Sequence, residues 1–175
     1  TGSLTYLTTV FAALYITGSG KISDYLIASC VAIWAIRLGS FLFMRIHKAG
    51  EDRRFREIKT NFTRFFMTWT LQGMWVSLCT ACALTGISKG IVINSIFFIG
   101  ISIFFIGFII EVIADNQKFK FRSIPSNKDK FITTGLWKYS RHPNYLGEII
   151  LWFGISIISF SSLQGMELVT LISPV

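Results

Sequence analysis

Between Gly135 and Glu148 the chain reads Gly-Leu-Trp-Lys-Tyr-Ser-Arg-His-Pro-Asn-Tyr-Leu-Gly-Glu, and the apolar run Ile149 to Ile158 follows at once. Lys138, Arg141, His142, Asn144, Tyr145 and Glu148 thus gather where a polar loop becomes a membrane helix. Pro143 suits a first helical position, with His142 at the cap, because its fixed φ fits the helix and its missing N–H leaves nothing unpaired. Residues 141, 144, 145 and 148 then lie near one helical face. Free N–H groups and the positive end of the helix dipole, beside Arg141 and Lys138, favour an anion such as a phosphate. Glu148 sits more than a turn inside, where an acid requires a partner or a wet cavity.

A second set of ionisable residues points the same way. Glu111 and Asp115 are four apart on one helix face, and Lys118 and Arg122 continue beyond them. Arg37 stands inside an apolar stretch and needs a buried anion, with Glu111, Asp115 or Glu148 as candidates. A wet cavity shared by the second, fourth and fifth spans satisfies all of these groups together. The plainer reading makes the basic residues ordinary anchors at a membrane boundary. It accounts for Lys48, Arg56, Lys59 and Lys120, but not for acids placed inside the spans.

The elements that position these residues follow from composition. A chain of 175 residues that is 52% hydrophobic and 15% charged, with 17 Phe, carries more apolar surface than one soluble core of that size buries. It reads as an all-α, multi-pass membrane bundle of about six spans forming a single integral domain over residues 1–175. The spans are Leu4–Ile16, short and read as a clipped helix; Tyr25–Ile46; Phe65–Ile87; Ile91–Ala114; Pro143–Phe160; and Leu163–Val175, read as the opening of a sixth. Gly73, Ser77 and Ala81 give the third span a small-residue stripe suited to close helix packing. Of 17 Lys and Arg, all but Lys21, Arg37 and Lys89 fall in the stretches 45–64 and 115–142. The positive-inside rule therefore puts both of those loops, and any site beside them, on the cytosolic side. The net charge of +8 is confined to these loops and does not make a nucleic-acid surface.

The Gly135–Glu148 stretch resembles the C-terminal signature of the steroid 5-alpha-reductase-like membrane family, in its DUF1295 branch. Ile33-Trp34-Ala-Ile-Arg37-Leu-Gly39, Arg45 with Glu51-Asp52-Arg53-Arg54-Phe55, and Glu111-Val-Ile-Ala-Asp115-Asn-Gln-Lys118 running to Arg122, Asn127 and Lys128 agree with it in order. The resemblance implies a membrane reductase that takes hydride from NADPH to reduce a carbon–carbon double bond in a steroid, sterol or other enone-like lipid. It implies cofactor-contacting or pocket-lining roles for Arg37, Glu111, Asp115, Arg122, Lys130, Asn144 and Glu148, with Arg45 and Tyr145 as additions, and Lys118, Asn127, Arg141 and His142 complete the candidate cofactor-binding set. It also implies further membrane segments before and after this stretch, so the chain reads as part of a longer family member. The residue types suit the cofactor: Arg and Lys for its phosphates, Asn, Asp and Glu for ribose hydroxyls and carboxamide. No Gly-x-Gly-x-x-Gly follows a strand, so a soluble dinucleotide fold is not expected.

Two features set this sequence apart from the steroid reductases. Trp34 stands where they carry a Tyr, three residues before the Arg matched by Arg37, and indole offers an N–H donor without useful acidity. Candidate donors for the reaction are Tyr139, Tyr145 and His142, among which the sequence makes no choice. Cys79-Thr-Ala-Cys82 lies inside a span without further ligands and reads as packing, as does Cys30; His47 and His142 lack metal-ligand company, so no metal is expected. Asn61-Phe-Thr63 is a glycosylation sequon on the side assigned to the cytosol. Two other functions stay open: an S-adenosylmethionine-dependent membrane methyltransferase, which shares an Arg-His-Pro motif, and a non-catalytic lipid-binding protein.

Overall fold

The computed structural model describes residues 2–49, 58, 60–127 and 130–172. Glu51 to Phe55 and Lys128 of the family-like pattern, together with Arg56 and Lys59, lie outside the described residues. Among the described residues there are five long helices: α1 (Gly2–Thr17), α2 (Ile22–Ala49), α3 (Phe62–Lys89), α4 (Ser95–Ser123) and α5 (Pro143–Phe160). Four of them, α2 to α5, are long and apolar enough to cross a membrane. The protein is an all-helical membrane bundle, as expected. Residues Gly165–Ile172, read from sequence within the opening of a sixth span, wind as a 3-10 helix of 8 residues.

The helices begin and end where local chemistry dictates. Asn61 and Asn94 cap α3 and α4, their side chains accepting from the N–H groups of Arg64 (3.2 Å) and Phe97 (3.0 Å). Gly90, at φ +79°, lets the chain turn out of α3, a conformation that L side chains rarely adopt. α5 starts at Pro143 with His142 at the cap, and the His142 side chain makes no capping bond. α4 runs nine residues past Ala114, so Asp115, Lys118 and Arg122 are helical.

The α4–α5 pair is the backbone of the fold. On α4 the buried positions Phe97, Gly100, Phe104, Gly107, Glu111 and Ala114 repeat at three- and four-residue intervals, a stripe that faces a neighbour. A Cβ on Gly107 would lie 2.4 Å from the Leu151 nitrogen and 2.6 Å from the Gly147 carbonyl oxygen. One on Gly154 would lie 2.6 Å from the Phe104 nitrogen, and one on Gly147 2.6 Å from the Glu111 nitrogen. Glycines on both helices thus let the two backbones touch, antiparallel, in one fixed register. The stripe expected on α3 does not do this: Gly73 faces open space and Ser77 is exposed, because that face of α3 looks away from the bundle.

α1 packs against both α2 and α3, and α5 closes against α3. The core is aromatic and branched, with Trp34, Phe97, Phe104, Ile87, Ile155 and Ile158 among the largest fully buried side chains. At one end the turns are laced together by Asp24. Its carboxylate accepts from the Ser19 N–H (3.0 Å), the Ser19 hydroxyl (2.6 Å) and the Ile91 N–H (3.1 Å). Lys89 and Glu167 pair at that end at 2.6 Å.

Candidate functional site

At the other end, Arg37 bridges two helices. The α4 stripe that packs through glycine also carries Glu111 and Asp115, so both carboxylates turn inward. Arg37 donates from Nη1 to Glu111 Oε1 at 2.7 Å and from Nη2 to Asp115 Oδ2 at 2.8 Å. Trp34, one turn earlier on α2, donates its indole N–H to Glu111 Oε2 at 3.0 Å. Phe41, one turn later, lies beneath the guanidinium at 5.3 Å. A planar fork reaching two acids that lie one helical turn apart is a geometry that Arg provides and Lys does not.

The helix register adds a third acid. With Gly147 held against Glu111, Glu148 stands at the same depth as Glu111. Glu148 is half-buried and, among the described residues, has no hydrogen bond or ion pair. Asn144, one turn nearer the start of α5, has a buried side-chain carbonyl oxygen without a donor. Unmatched polar groups of this kind are uncommon in folded proteins and mark places where a ligand or water completes the bonding.

The loop between α4 and α5 is folded back onto α4. Gly135, at φ +62°, leaves no room for a side chain against the Gln117 amide, and Gln117 Oε1 accepts the Leu136 N–H at 3.0 Å. Trp137 is buried and donates its indole N–H to the Ala114 carbonyl at 3.0 Å. Lys118 lies over the Trp137 ring at 4.7 Å. This docking holds the stretch from Gly135 to Trp137 against α4.

The expected site residues therefore divide into three groups. Arg37, Glu111 and Asp115 form one bonded cluster, with Glu148 beside it and Asn144 at the start of the same helix. Lys118 lies over Trp137, Arg141 and His142 are exposed, and His142 packs at a tilt on Tyr145, ring centroids 5.5 Å apart. Arg45, Arg122 and Lys130 are exposed as well. Arg45 is eight residues past Arg37 and Arg122 seven past Asp115, about 12 and 10 Å along their helices. Asn127 has a local task, donating to the Phe121 carbonyl at 3.2 Å. Of the three candidate donors, Tyr139 is 84% exposed and Tyr145 59% exposed, and both stand outside the buried cluster.

Sequence reasoning passed over Tyr6 and Trp152. Tyr6, Trp34 and Trp152 pack as a trio of rings with centroids 4.9, 5.1 and 5.6 Å apart. Their one available signal was aromatic residues within apolar runs, which core packing explains equally well. An apolar groove of about 640 Å³ lies nearby, lined by Thr5 of α1 and by Phe62, Phe65, Phe66, Trp69 and Thr70 of α3. Cys82 is fully buried with its thiol 3.7 Å from the Ser156 hydroxyl, in keeping with packing.

The chain belongs to the family described as "Protein of unknown function (DUF1295)", whose model matches residues 1–175. Among curated proteins it is similar to a probable O-methyltransferase, ustE, of Ustilaginoidea virens, at 33% identity over 69 residues. That match covers 39% of this chain and 24% of the relative, so the chain spans about a quarter of the protein it resembles. No solved structure matches.

Proposed function

We propose that this DUF1295 protein is a membrane-embedded, NADPH-dependent reductase of a carbon–carbon double bond conjugated to a carbonyl in a lipid. The observation that supports it best is the layering of charge: carboxylates of Glu111, Asp115 and Glu148 inside, cations of Lys118, Arg122, Lys130 and Arg141 outside. A nicotinamide dinucleotide has the matching order. Its phosphates call for the outer cations, and its ribose hydroxyls and carboxamide are donors for acids and for an amide oxygen. The donor-less Asn144 oxygen and the unpaired Glu148 fit such a ligand.

When bound, the cofactor supplies the hydride. The protein's own part is positional and electrostatic. Arg37 fixes Glu111 and Asp115, so that neither moves when a ligand arrives; preorganised groups of this kind lose little on binding. Asn144 and Glu148 accept from the ligand's hydroxyl or amide groups. Arg141 and Lys118, at the rim, neutralise phosphate. The long apolar faces of the helices keep the reacting lipid in the membrane phase, on the cytosolic side by the charge distribution.

The likeness to a probable O-methyltransferase supports a second reading, in which the donor is S-adenosylmethionine. Its sulfonium suits an interior lined by carboxylates and aromatic rings, but it has no phosphate for the basic rim. Titration of NADPH, NADH and S-adenosylmethionine into the purified protein in lipid nanodiscs separates the readings. Binding of NADPH, tighter than NADH because of the extra phosphate and weakened in Arg122→Ala, is the expected result. Preference for S-adenosylmethionine selects the second reading, and no binding of any of the three leaves a lipid-binding protein.

A further inference from the structure

Two large rings at one edge of the bundle are uncovered: Phe131 is 92% exposed and Tyr139 84% exposed. Lys120, Lys130 and Lys138 are exposed along the same stretch, and among the described residues from Asn116 to Tyr145 every charged side chain is a cation. Depth decides what covers this edge. On the outward face of α4 the exposed side chains are apolar at Phe105, Ile109 and Ile113 and polar at Asn116 and Lys120, so the hydrocarbon layer ends between Ile113 and Asn116. α5 places the boundary at the same height. The register that sets Gly154 against Phe104 and Gly147 against Glu111 sets His142 level with Asn116, and there the exposed side chains change from Arg141 and His142 to Leu146 and Ile149.

From that height α4 continues to Ser123, about 10 Å beyond Asn116, and the chain then returns. Asn127 donates to the Phe121 carbonyl, the Leu136 N–H to Gln117 and the Trp137 indole to the Ala114 carbonyl. Phe131 falls between Asn127 and Gly135 on this descent and Tyr139 follows Trp137, so both rings lie in the headgroup layer, about 5–7 Å deep on each side of a bilayer. The descent runs along an outer flank. Phe119 meets Phe41 of α2, ring centroids 6.1 Å apart, and Gln117, two residues earlier, lies on nearly the opposite side of α4. The loop is thus held away from α2 and Arg37, at the border with lipid.

We infer that Lys120, Phe131, Lys138 and Tyr139 form a contact surface for anionic phospholipids of the cytosolic leaflet. Rings at this depth exchange water for glycerol and acyl-chain contacts, while the lysine stems follow the apolar surface and their ammonium groups reach phosphate. Anionic lipids of that leaflet are what a run of cations attracts. The rings beside the lysines distinguish this surface from a site for free phosphate, which offers nothing to cover them. None of the four residues belongs to the cofactor-binding set, so the surface stands or falls apart from the reductase reading.

The test uses the intact protein in nanodiscs of phosphatidylcholine mixed equally with phosphatidylglycerol. A nitroxide is attached at Phe131→Cys and, as a water-exposed reference, at Ser126→Cys; the native thiols Cys30, Cys79 and Cys82 are buried, and wild type treated with the same reagent gives the background. The nitroxide at position 131 collides more with dissolved oxygen than with a soluble nickel chelate, and the one at position 126 shows the reverse. Lipid retained after brief detergent extraction is counted by native mass spectrometry. The wild type keeps phosphatidylglycerol over phosphatidylcholine, and Lys120→Gln with Lys138→Gln lowers that preference by about fivefold for each lysine removed, whereas Lys120→Arg with Lys138→Arg retains it. A nitroxide at position 131 as open to the nickel chelate as that at 126 overturns the surface. Equal retention of the two lipids by the wild type, or an unchanged preference in the double Gln variant, overturns it as well.

Discussion

Replacing Arg37 by Met keeps an unbranched apolar stem and removes the guanidinium and its charge. Glu111 and Asp115 are then left facing one another, with Glu148 close by and only the Trp34 N–H still donating. Removing one partner of a buried ion pair costs about 3–5 kcal/mol, because the abandoned charge has lost its water as well as its counter-ion. The Arg37 side chain retains 16% exposure and those of Glu111 and Asp115 4% and 10%, so some water reaches the cation. The lower end of that range, about 3 kcal/mol, is therefore expected. For a chain of this length that corresponds to a fall in melting temperature of about 6–12 °C. The assay is thermal unfolding in one detergent at fixed pH, followed by helical circular dichroism. A second variant isolates the cause: adding Glu111→Gln and Asp115→Asn to Arg37→Met removes the stranded charges and recovers more than half of the loss. Should Arg37→Met alone cost less than about 0.5 kcal/mol, the value of a solvated surface pair, or should the triple variant fall further, the claim that these acids are desolvated and held by Arg37 is refuted.

Other outcomes follow from the same contacts. Gly107→Ala pushes a methyl into the α5 backbone and destabilises by about 3 kcal/mol, whereas Gly73→Ala, facing open space, stabilises by about 0.5–1 kcal/mol through helix propensity; paired unfolding curves compare them. Asp24→Ala strands the Ser19 and Ile91 donors and costs about 3 kcal/mol, yet leaves NADPH affinity unchanged, since Asp24 lies at the opposite end of the bundle. Glu148→Gln weakens NADPH binding by about tenfold, on the scale of one hydrogen bond to a charged group, while membrane insertion stays normal; equal affinity in a titration removes Glu148 from the site. The Lys89 ammonium holds the Glu167 carboxyl below its ordinary range. The folded pKa is the lower one, so the pair's contribution is complete above the unfolded carboxylate value and is lost as the pH falls through the folded one. Carboxyl titration by NMR shows Glu167 moving upward in Lys89→Met.

Much of the site was legible because its residues declare themselves chemically. Arg37 in an apolar run had to find an anion, and the sequence named Glu111, Asp115 and Glu148 as the choices; the fold selected the first two. Pro143 marked the start of α5 because its ring fits a first helical turn and little else. The α4–α5 register was also written in the chain, as Gly100 and Gly107 against Gly147 and Gly154, each pair seven residues apart. The Gly73, Ser77 and Ala81 stripe looked equally suitable, since spacing describes a face without saying what stands opposite. Asp24 reads as an isolated acid near the start of a span, and only the meeting of two turns shows that it ties them together.

The sequence by itself determined that the chain is an all-helical membrane bundle, roughly where its four long spans lie, which residues are too polar to be idle there, and the family to which it belongs. Those follow from composition, hydropathy and local capping, which act over a few residues at a time. Only the tertiary structure decided that Arg37 takes two acids while Glu148 has none, that Asn127 serves a turn, and that Tyr6 and Trp152 meet from opposite ends of the chain. Each depends on which helix faces which at what depth, and that was fixed by the contact of glycine backbones across α4 and α5.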